Sequence, residues 1–278
     1  MNKMASVETT DGVGGDLARD QQGEVRRALQ ERQMNLHEAR RLNCLSHWHP
    51  IIESVVPTPK TTIIRTGIDI LLLMDEKEPE GFGGLVEEIS AAGDAMGYPF
   101  FLRTGQTSGK HDWDETCCVR KREDVAKHVF NLVYHSCCVD FVGLPCDVWA
   151  VREMLPIKPV FVGVKGMPVC REFRLFAKDG NVRCMHEYWP KDAVQMYCRL
   201  PDGWEKSYDD MTVFKDDVKG LPEVIDLASM ASKAVGGDWS IDVLHTDRGW
   251  FVTDMALAGM SFHMPGCDKE NHDGNQAS

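Results

Sequence analysis

The stretch Phe101–Trp113, FLRTGQTSGKHDW, constrains this chain more than any other. An apolar run, Tyr98–Leu102, ends at Arg103; Thr104-Gly105-Gln106-Thr107-Ser108-Gly109 follow, and Lys110 closes the segment. A strand that delivers a cation into a loop of hydroxyls, pliant backbone and a second cation is suited to surround a polyphosphate with N–H groups and positive charge. The segment is not a P-loop, which has four residues between its glycines and Ser or Thr after the Lys. Here Gly105 and Gly109 enclose three residues, and His111 follows Lys110. Nucleotide handling is therefore expected, on another fold.

At 278 residues and 43% hydrophobic, the chain can build one large domain or two modest lobes. Ile68–Met74 is far too short to span a membrane, and the first residues lack the apolar stretch of a secretory signal. The ten cysteines are scattered, with adjacent pairs at Cys117–Cys118 and Cys137–Cys138 and no Cys-x-x-Cys, which predicts reduced thiols in a cytoplasmic protein. A net charge of −12 argues against broad nucleic-acid binding.

Residues 1–16 are polar and Gly-rich and read as a disordered tail. The span 17–96 reads as an N-terminal helical arm and a small leading α/β segment, with helix over Asp16–Asn43, strand within Val55–Arg65 and helix over Gly83–Met96. His47-Trp48-His49-Pro50 offers two imidazoles but no third ligand, and reads as a packed Trp beside a helix end. A first lobe over 97–156 carries strands at Tyr98–Arg103, Thr116–Arg120 and Asp147–Leu155 and a helix at Asp124–Ser136. A second lobe over 157–265 carries a hairpin, Val169–Ala177 and Val182–Tyr188, turned by Lys178-Asp179-Gly180-Asn181. It then has a helix at Leu221–Val235 and a last hairpin, Trp239–His245 and Trp250–Ala256. The tail from 266 to 278 is polar. The fold class is α+β, in two lobes.

The last hairpin carries the sharpest geometric inference. A three-residue turn, Asp247-Arg248-Gly249, pairs Thr246 with Trp250 and so places Asp242 opposite Asp254. A two-residue turn, Asp247-Arg248, shifts the register by one and puts the two carboxylates on opposite faces. Facing carboxylates repel unless a hard cation joins them, and Asp with phosphate and water is typical Mg²⁺ ligation. The first register is expected, because Asp242 sits inside an otherwise apolar strand. Along Arg171-Glu172-Phe173-Arg174, charged and apolar residues alternate, which usually means a solvated strand face; Glu172 and Arg174 share a face and can instead line a cleft, with Arg174 on a phosphate or carboxylate.

The order of these pieces resembles the ATP-grasp fold, in which two α+β lobes grip ATP. Arg103 resembles the cation on the α- and β-phosphates, a position that is Arg in a subset rich in phage and bacterial proteins. Thr104–Lys110, with Thr104, Ser108 and Lys110, resembles the loop over the triphosphate. Val151-Arg152-Glu153-Met154-Leu155 looks like the hinge strand: its backbone reads adenine, and Glu153 meets adenine or ribose beside Met154 and Leu155. Glu172 and Arg174 lie on a segment similar to the second-lobe hairpin that ends Tyr188-Trp189-Pro190. Asp242 and Asp254 match the metal carboxylates. Ala256 stands where many members have a ligating Asn. Lys60 could reach the cleft, but an isolated cation is more often solvated.

The resemblance implies ATP and Mg²⁺ as cofactors and an ATP-dependent ligase. In such a reaction a small-molecule or peptide carboxylate takes the γ-phosphoryl group, and an amine or similar nucleophile captures the acyl phosphate, with Arg174 and Lys110 as the catalytic cations. Its alternative is a non-catalytic ATP-binding assembly protein, with which Ala256, the acidic surface and the N-terminal arm are compatible. Ligation on a nucleic-acid end is a weaker third reading that the charge disfavours.

Overall fold

The structure, a computed structural model, describes residues 35–139, 143–212 and 221–264. The tails expected at 1–16 and 266–278, and most of the helical arm, lie outside the described residues. Residues 35–41 are helical, with Arg41 Nη2 2.7 Å from Glu38 Oε1. From Leu42 onward the chain forms a compact unit of its own.

That unit is organised by two four-stranded antiparallel sheets. The first contains β1 (Thr61–Arg65), β2 (Phe100–Thr104), β3 (Cys118–Val119) and β4 (Val148–Glu153), in the order β1-β4-β2-β3. One face carries Phe100, Leu102, Trp149 and Val151. Helices α2 (Phe82–Met96) and α3 (Val125–Val139) cover it with Leu85, Ile89, Val129, Leu132 and Val133. The apolar residues of both helices recur at three- and four-residue spacing, so each buries one stripe. Gly97 ends α2 at φ +93°, the left-handed region that glycine fills without strain. The other face carries Phe101, Arg103, Ala150 and Arg152.

The second sheet has β7 (Glu172–Lys178), β8 (Asn181–Glu187), β9 (Asp238–Thr246) and β10 (Gly249–Leu257), in the order β10-β9-β7-β8. Phe173, Leu175, Ile241, Val243, Val252 and Met255 form its core face. Helices α1 (Leu45–Ile52) and α6 (Leu221–Val235) pack on it with Leu45, Trp48, Ile52, Val224, Leu227, Ala228 and Ala231. The Asp179-Gly180 turn has positive φ at both residues, +50° and +90°, as a tight two-residue hairpin requires. A small layer of β5 (Phe161–Val162), β6 (Pro168–Val169), α4 (Lys191–Tyr197) and α5 (Trp204–Thr212) closes around Met167, Trp189, Val194, Trp204 and Tyr208.

Several expectations need adjusting. The strand expected over Thr116–Arg120 is only Cys118–Val119. Trp48 is fully buried as expected, but inside α1 rather than beside a helix end, and Pro50 lies within the helix. Elements α1, β5, β6, α4 and α5 were not anticipated, because each is short and takes its apolar pattern from tertiary neighbours. Among the described residues no helix is long and apolar enough to cross a membrane, and the nine described cysteines are free thiols.

Gly105 ties α1 to the first sheet. Its N–H donates to Val148 O at 2.7 Å, and its carbonyl accepts the Leu45 N–H at 2.8 Å. A Cβ there would stand 2.4 Å from Cys44 Sγ and 2.9 Å from Val148 Cβ. Gly105→Ala is expected to cost about 1–3 kcal/mol through overpacking, read as a lower melting temperature by circular dichroism; an unchanged melting point would contradict this tight approach.

Candidate functional site

The site begins at the β9–β10 hairpin. The turn is the two-residue Asp247-Arg248, with Gly249 opposite Thr246, not the three-residue turn the sequence suggested. The Thr246 hydroxyl closes it, accepting the Arg248 N–H at 3.0 Å and donating to Gly249 O at 2.8 Å. That register alone would separate the two aspartates. A β-bulge at Thr253 restores it: the ladder steps from Val252↔Val243 to Asp254↔Asp242. An extra residue in one strand flips every later side chain to the other face. Asp242 and Asp254 therefore stand opposite each other on the face away from the core.

Each carboxylate is matched by a guanidinium. Arg174, opposite Asp242 on β7, donates from Nε to Oδ1 at 2.8 Å and from Nη2 to Oδ2 at 2.9 Å. This fork is the strongest geometry available to an Arg–carboxylate pair. Burial opposes the charge on Arg174, but Asp242 outweighs it and holds the guanidinium above the ordinary arginine value. Arg103, at the end of β2 in the other sheet, is 4% exposed and places Nη1 2.9 Å from Asp254 Oδ1. The second pair thus spans the two sheets.

The loop after Arg103 is organised by its own hydroxyls. Thr104 Oγ1 accepts the N–H groups of Gln106 and Thr107 at 3.2 and 3.0 Å, and Thr116 Oγ1 donates to Gly109 O at 2.7 Å. Thr104 is fully buried and does not line the cleft, and these N–H groups turn inward rather than toward a ligand. That corrects the picture of a backbone cradle; the loop offers side chains instead. Lys110 places Nζ 3.8 Å from Glu172 Oε2 and 3.8 Å from the centre of the Tyr188 ring. Burial would lower the Lys110 pKa, yet Glu172, Tyr188 and Asp242 together raise it. For Glu172 burial dominates and raises the carboxyl, with Lys110 opposing.

At the far side Glu153 ends β4, and Met154 and Leu155 follow it directly. Glu153 accepts the Lys60 backbone N–H at 2.9 Å and Arg248 Nη2 at 2.9 Å, while the Lys60 side chain is exposed. A cleft of about 750 Å³, the open space at its mouth included, joins these pieces, lined by Arg103, Ser108, Lys110, Glu153, Met154, Leu155, Glu172 and Asp254. Asp242 and Arg174 sit just behind that lining. Phe101, Trp113, Ile157, Met167, Trp189 and Leu244 give it apolar walls, suited to a flat aromatic base.

The sequence reading did not assign Arg152, Trp113 or Trp189 to the site. Arg152 carried a readable signal, a charge inside the apolar strand Val148–Val151, which is the same signal that singled out Asp242. It is 4% exposed; burial first, and Arg103 second, push its pKa down to about 9. Beneath it His49 is buried, and burial followed by Arg152 lowers its pKa to about 4, so that histidine is neutral at physiological pH.

No family profile and no curated protein sequence matches the chain. Solved structures do. C-terminally truncated Cdc123 from Schizosaccharomyces pombe is 14% identical over 79% of this chain and 85% of its own, with a TM-score of 0.50. The chain has the ATP-grasp fold. A RimK domain ATP-grasp protein from Sphaerobacter thermophilus is 15% identical over 78% of this chain and 59% of its own, TM-score 0.43. D-alanine–D-alanine ligase from Bacillus anthracis is 13% identical over 77% and 55%, TM-score 0.40. At 14% identity the likeness to Cdc123 speaks for the fold alone.

Do the residues fit Mg²⁺ and ATP? Among the described residues no cluster of three or more His, Cys, Asp or Glu has metal-holding geometry. Two carboxylates suffice for Mg²⁺ when phosphate and water complete the shell. Of the residues named above, Arg103, Lys110, Arg152 and Arg174 stand against Asp242, Asp254, Glu172 and Glu153, four cations for four acids in a chain of net charge −12. The donor set fits a metal that arrives with a polyphosphate.

Two outcomes follow. Arg174→Met strands Asp242 as a buried, unpaired carboxylate and is expected to cost about 3 kcal/mol or more in urea unfolding; Arg174→Met with Asp242→Leu should recover most of that loss. A raised folded-state pKa at Glu172 adds stability that is complete below the unfolded carboxyl pKa of about 4 and is lost as pH rises through the folded value. Glu172→Gln should therefore melt higher than the parent at pH 8, with the gap closing toward pH 4. A gap that widens on acidification would show that the ionised acid is the favoured form.

Proposed function

We propose that the chain is an ATP-dependent ligase that binds Mg-ATP in the cleft between its two sheets. It would activate a small-molecule or peptide carboxylate as an acyl phosphate for attack by an amine or thiol. The observation that carries this reading is the set of two arginine–aspartate pairs, Arg103–Asp254 across the sheets and Arg174–Asp242 within one. Each guanidinium can pass from carboxylate to phosphate, and each carboxylate released is free for a cation.

In this reading Asp242 and Asp254 hold Mg²⁺, which screens phosphate charge when bound. Arg103, Ser108 and Lys110 hold phosphate oxygens. Met154, Leu155 and the Glu153 carboxylate seat the nucleoside, against Trp113 and Trp189. Arg174 orients the acceptor carboxylate or steadies the transferring group. Lys110 is kept fully protonated by its neighbours, so it acts as a fixed charge rather than a proton carrier. We place the first lobe at 97–156 and the second at 157–265, with β1 contributed by the leading segment to the first sheet. Arg103 in place of Lys would put the chain with the Arg-bearing subset of the fold.

One observation favours a second reading, an ATP-binding module without turnover. Ala256 sits on β10 two residues after Asp254 and opposite Ser240, and its methyl side chain cannot ligate a metal.

Calorimetry tests the first reading. The full chain should bind Mg-ATP, and Asp242→Asn or Asp254→Asn should weaken binding about tenfold or more, each removing a charge from the metal site. Mg²⁺ alone should give no measurable heat, because both carboxylates are already paired. Undiminished Mg-ATP affinity in both variants would sink the metal assignment. ADP release stimulated by amino acids or peptides separates the ligase from the binding module.

A further inference from the structure

Arg152 has no role in the account so far. Its Nε donates to Thr61 Oγ1 at 3.1 Å and its Nη1 to the Thr253 carbonyl at 2.8 Å. Nη2 is buried and has no hydrogen-bond partner among the described residues. Neither acceptor is a carboxylate. The neighbouring acids are committed elsewhere, Asp254 to Arg103, and Glu153 to Arg248 and the Lys60 backbone. A buried cation held only by neutral groups is costly, and so is a buried donor left unpaired. A ligand in the cleft would complete such a group.

The two neutral acceptors fix the guanidinium from both sides, Thr61 on β1 and Thr253 at the bulge of β10. Arg152 itself is a residue of the cleft wall. The ladder locates it further: Arg152 pairs with Phe101, two residues along from Arg103↔Ala150 and on the same face. The next residues are Glu153, Met154 and Leu155. Arg152 therefore lies between the nucleoside end of the cleft and the Arg103–Asp254 pair.

We propose that Arg152 is a further anion-binding cation of the cleft, whose unpaired Nη2 donates to the phosphate nearest the nucleoside, while Arg103 and Lys110 serve the phosphates beyond it. This rests on the nucleotide reading above.

The test compares adenosine, AMP and ADP binding to the full chain by calorimetry, for the parent protein and Arg152→Met. AMP and ADP should weaken about tenfold or more, the effect of losing one charge-assisted hydrogen bond, while adenosine stays within about twofold. Equal loss for all three would mean that Arg152 is only a brace between β1 and β10, and unchanged AMP affinity would also overturn the assignment. If Arg152→Met does not fold, Thr61→Val removes the Nε acceptor and keeps the charge; it should still lower AMP affinity relative to adenosine, and an unchanged ratio would count against the proposal. If the parent protein binds none of the three, the nucleotide reading itself fails and this one with it; parent binding with an indifferent variant overturns this one alone.

Discussion

Everything in this cleft depends on how two facing carboxylates are kept from repelling each other. Asp242 and Asp254 are cross-strand neighbours, and like charges at that distance destabilise a hairpin. The protein answers with one guanidinium for each, Arg174 from the adjacent strand and Arg103 from the other sheet. The second pair makes the site a property of the whole unit, since neither sheet alone holds both partners. A cleft built in this way is neutralised without a ligand and can still exchange its arginines for a metal and a polyphosphate.

The supporting structure is specific to that arrangement. The bulge at Thr253 sets the carboxylates face to face, and it is pinned twice: its carbonyl accepts from Arg152, and its hydroxyl donates to Asp242 O at 3.3 Å. Gly105 lets α1 approach the loop base, and the Thr104 hydroxyl folds the loop so that Ser108 and Lys110 reach the cleft. Lys110 is then seated among Glu172, Tyr188 and Trp189. The cations of the cleft are thus held by carboxylates and aromatic rings rather than left on free stems, which limits the entropy lost on binding.

Much of this was legible beforehand, for physical reasons. Strands β2, β4, β7 and β8 and helices α2, α3 and α6 declare themselves through periodicity and through Gly97 and Asp179-Gly180. Asp242 was conspicuous as a charge in an apolar strand, and Arg152 offered the same signal without being assigned to the site. The turn at Asp247-Arg248 was misjudged, because a glycine after two polar residues is compatible with either loop length. The bulge was invisible: nothing in Val252-Thr253-Asp254 marks an extra residue, and the Arg152 contact that pins it comes from a strand about 100 residues away in the chain. The role of Thr104 was missed because a hydroxyl in a loop serves a ligand or its own backbone equally well. The small layer around Trp204 was missed because its helices are only 7 and 9 residues long.

The most direct test is a crystal structure of the full chain with a non-hydrolysable ATP analogue and Mn²⁺ located by anomalous scattering. The account predicts metal density on Asp242 and Asp254, Arg103 moved from Asp254 to the phosphates, and the base between Met154–Leu155 and the tryptophan wall. Metal and analogue bound elsewhere, with Arg103–Asp254 and Arg174–Asp242 intact, would contradict it.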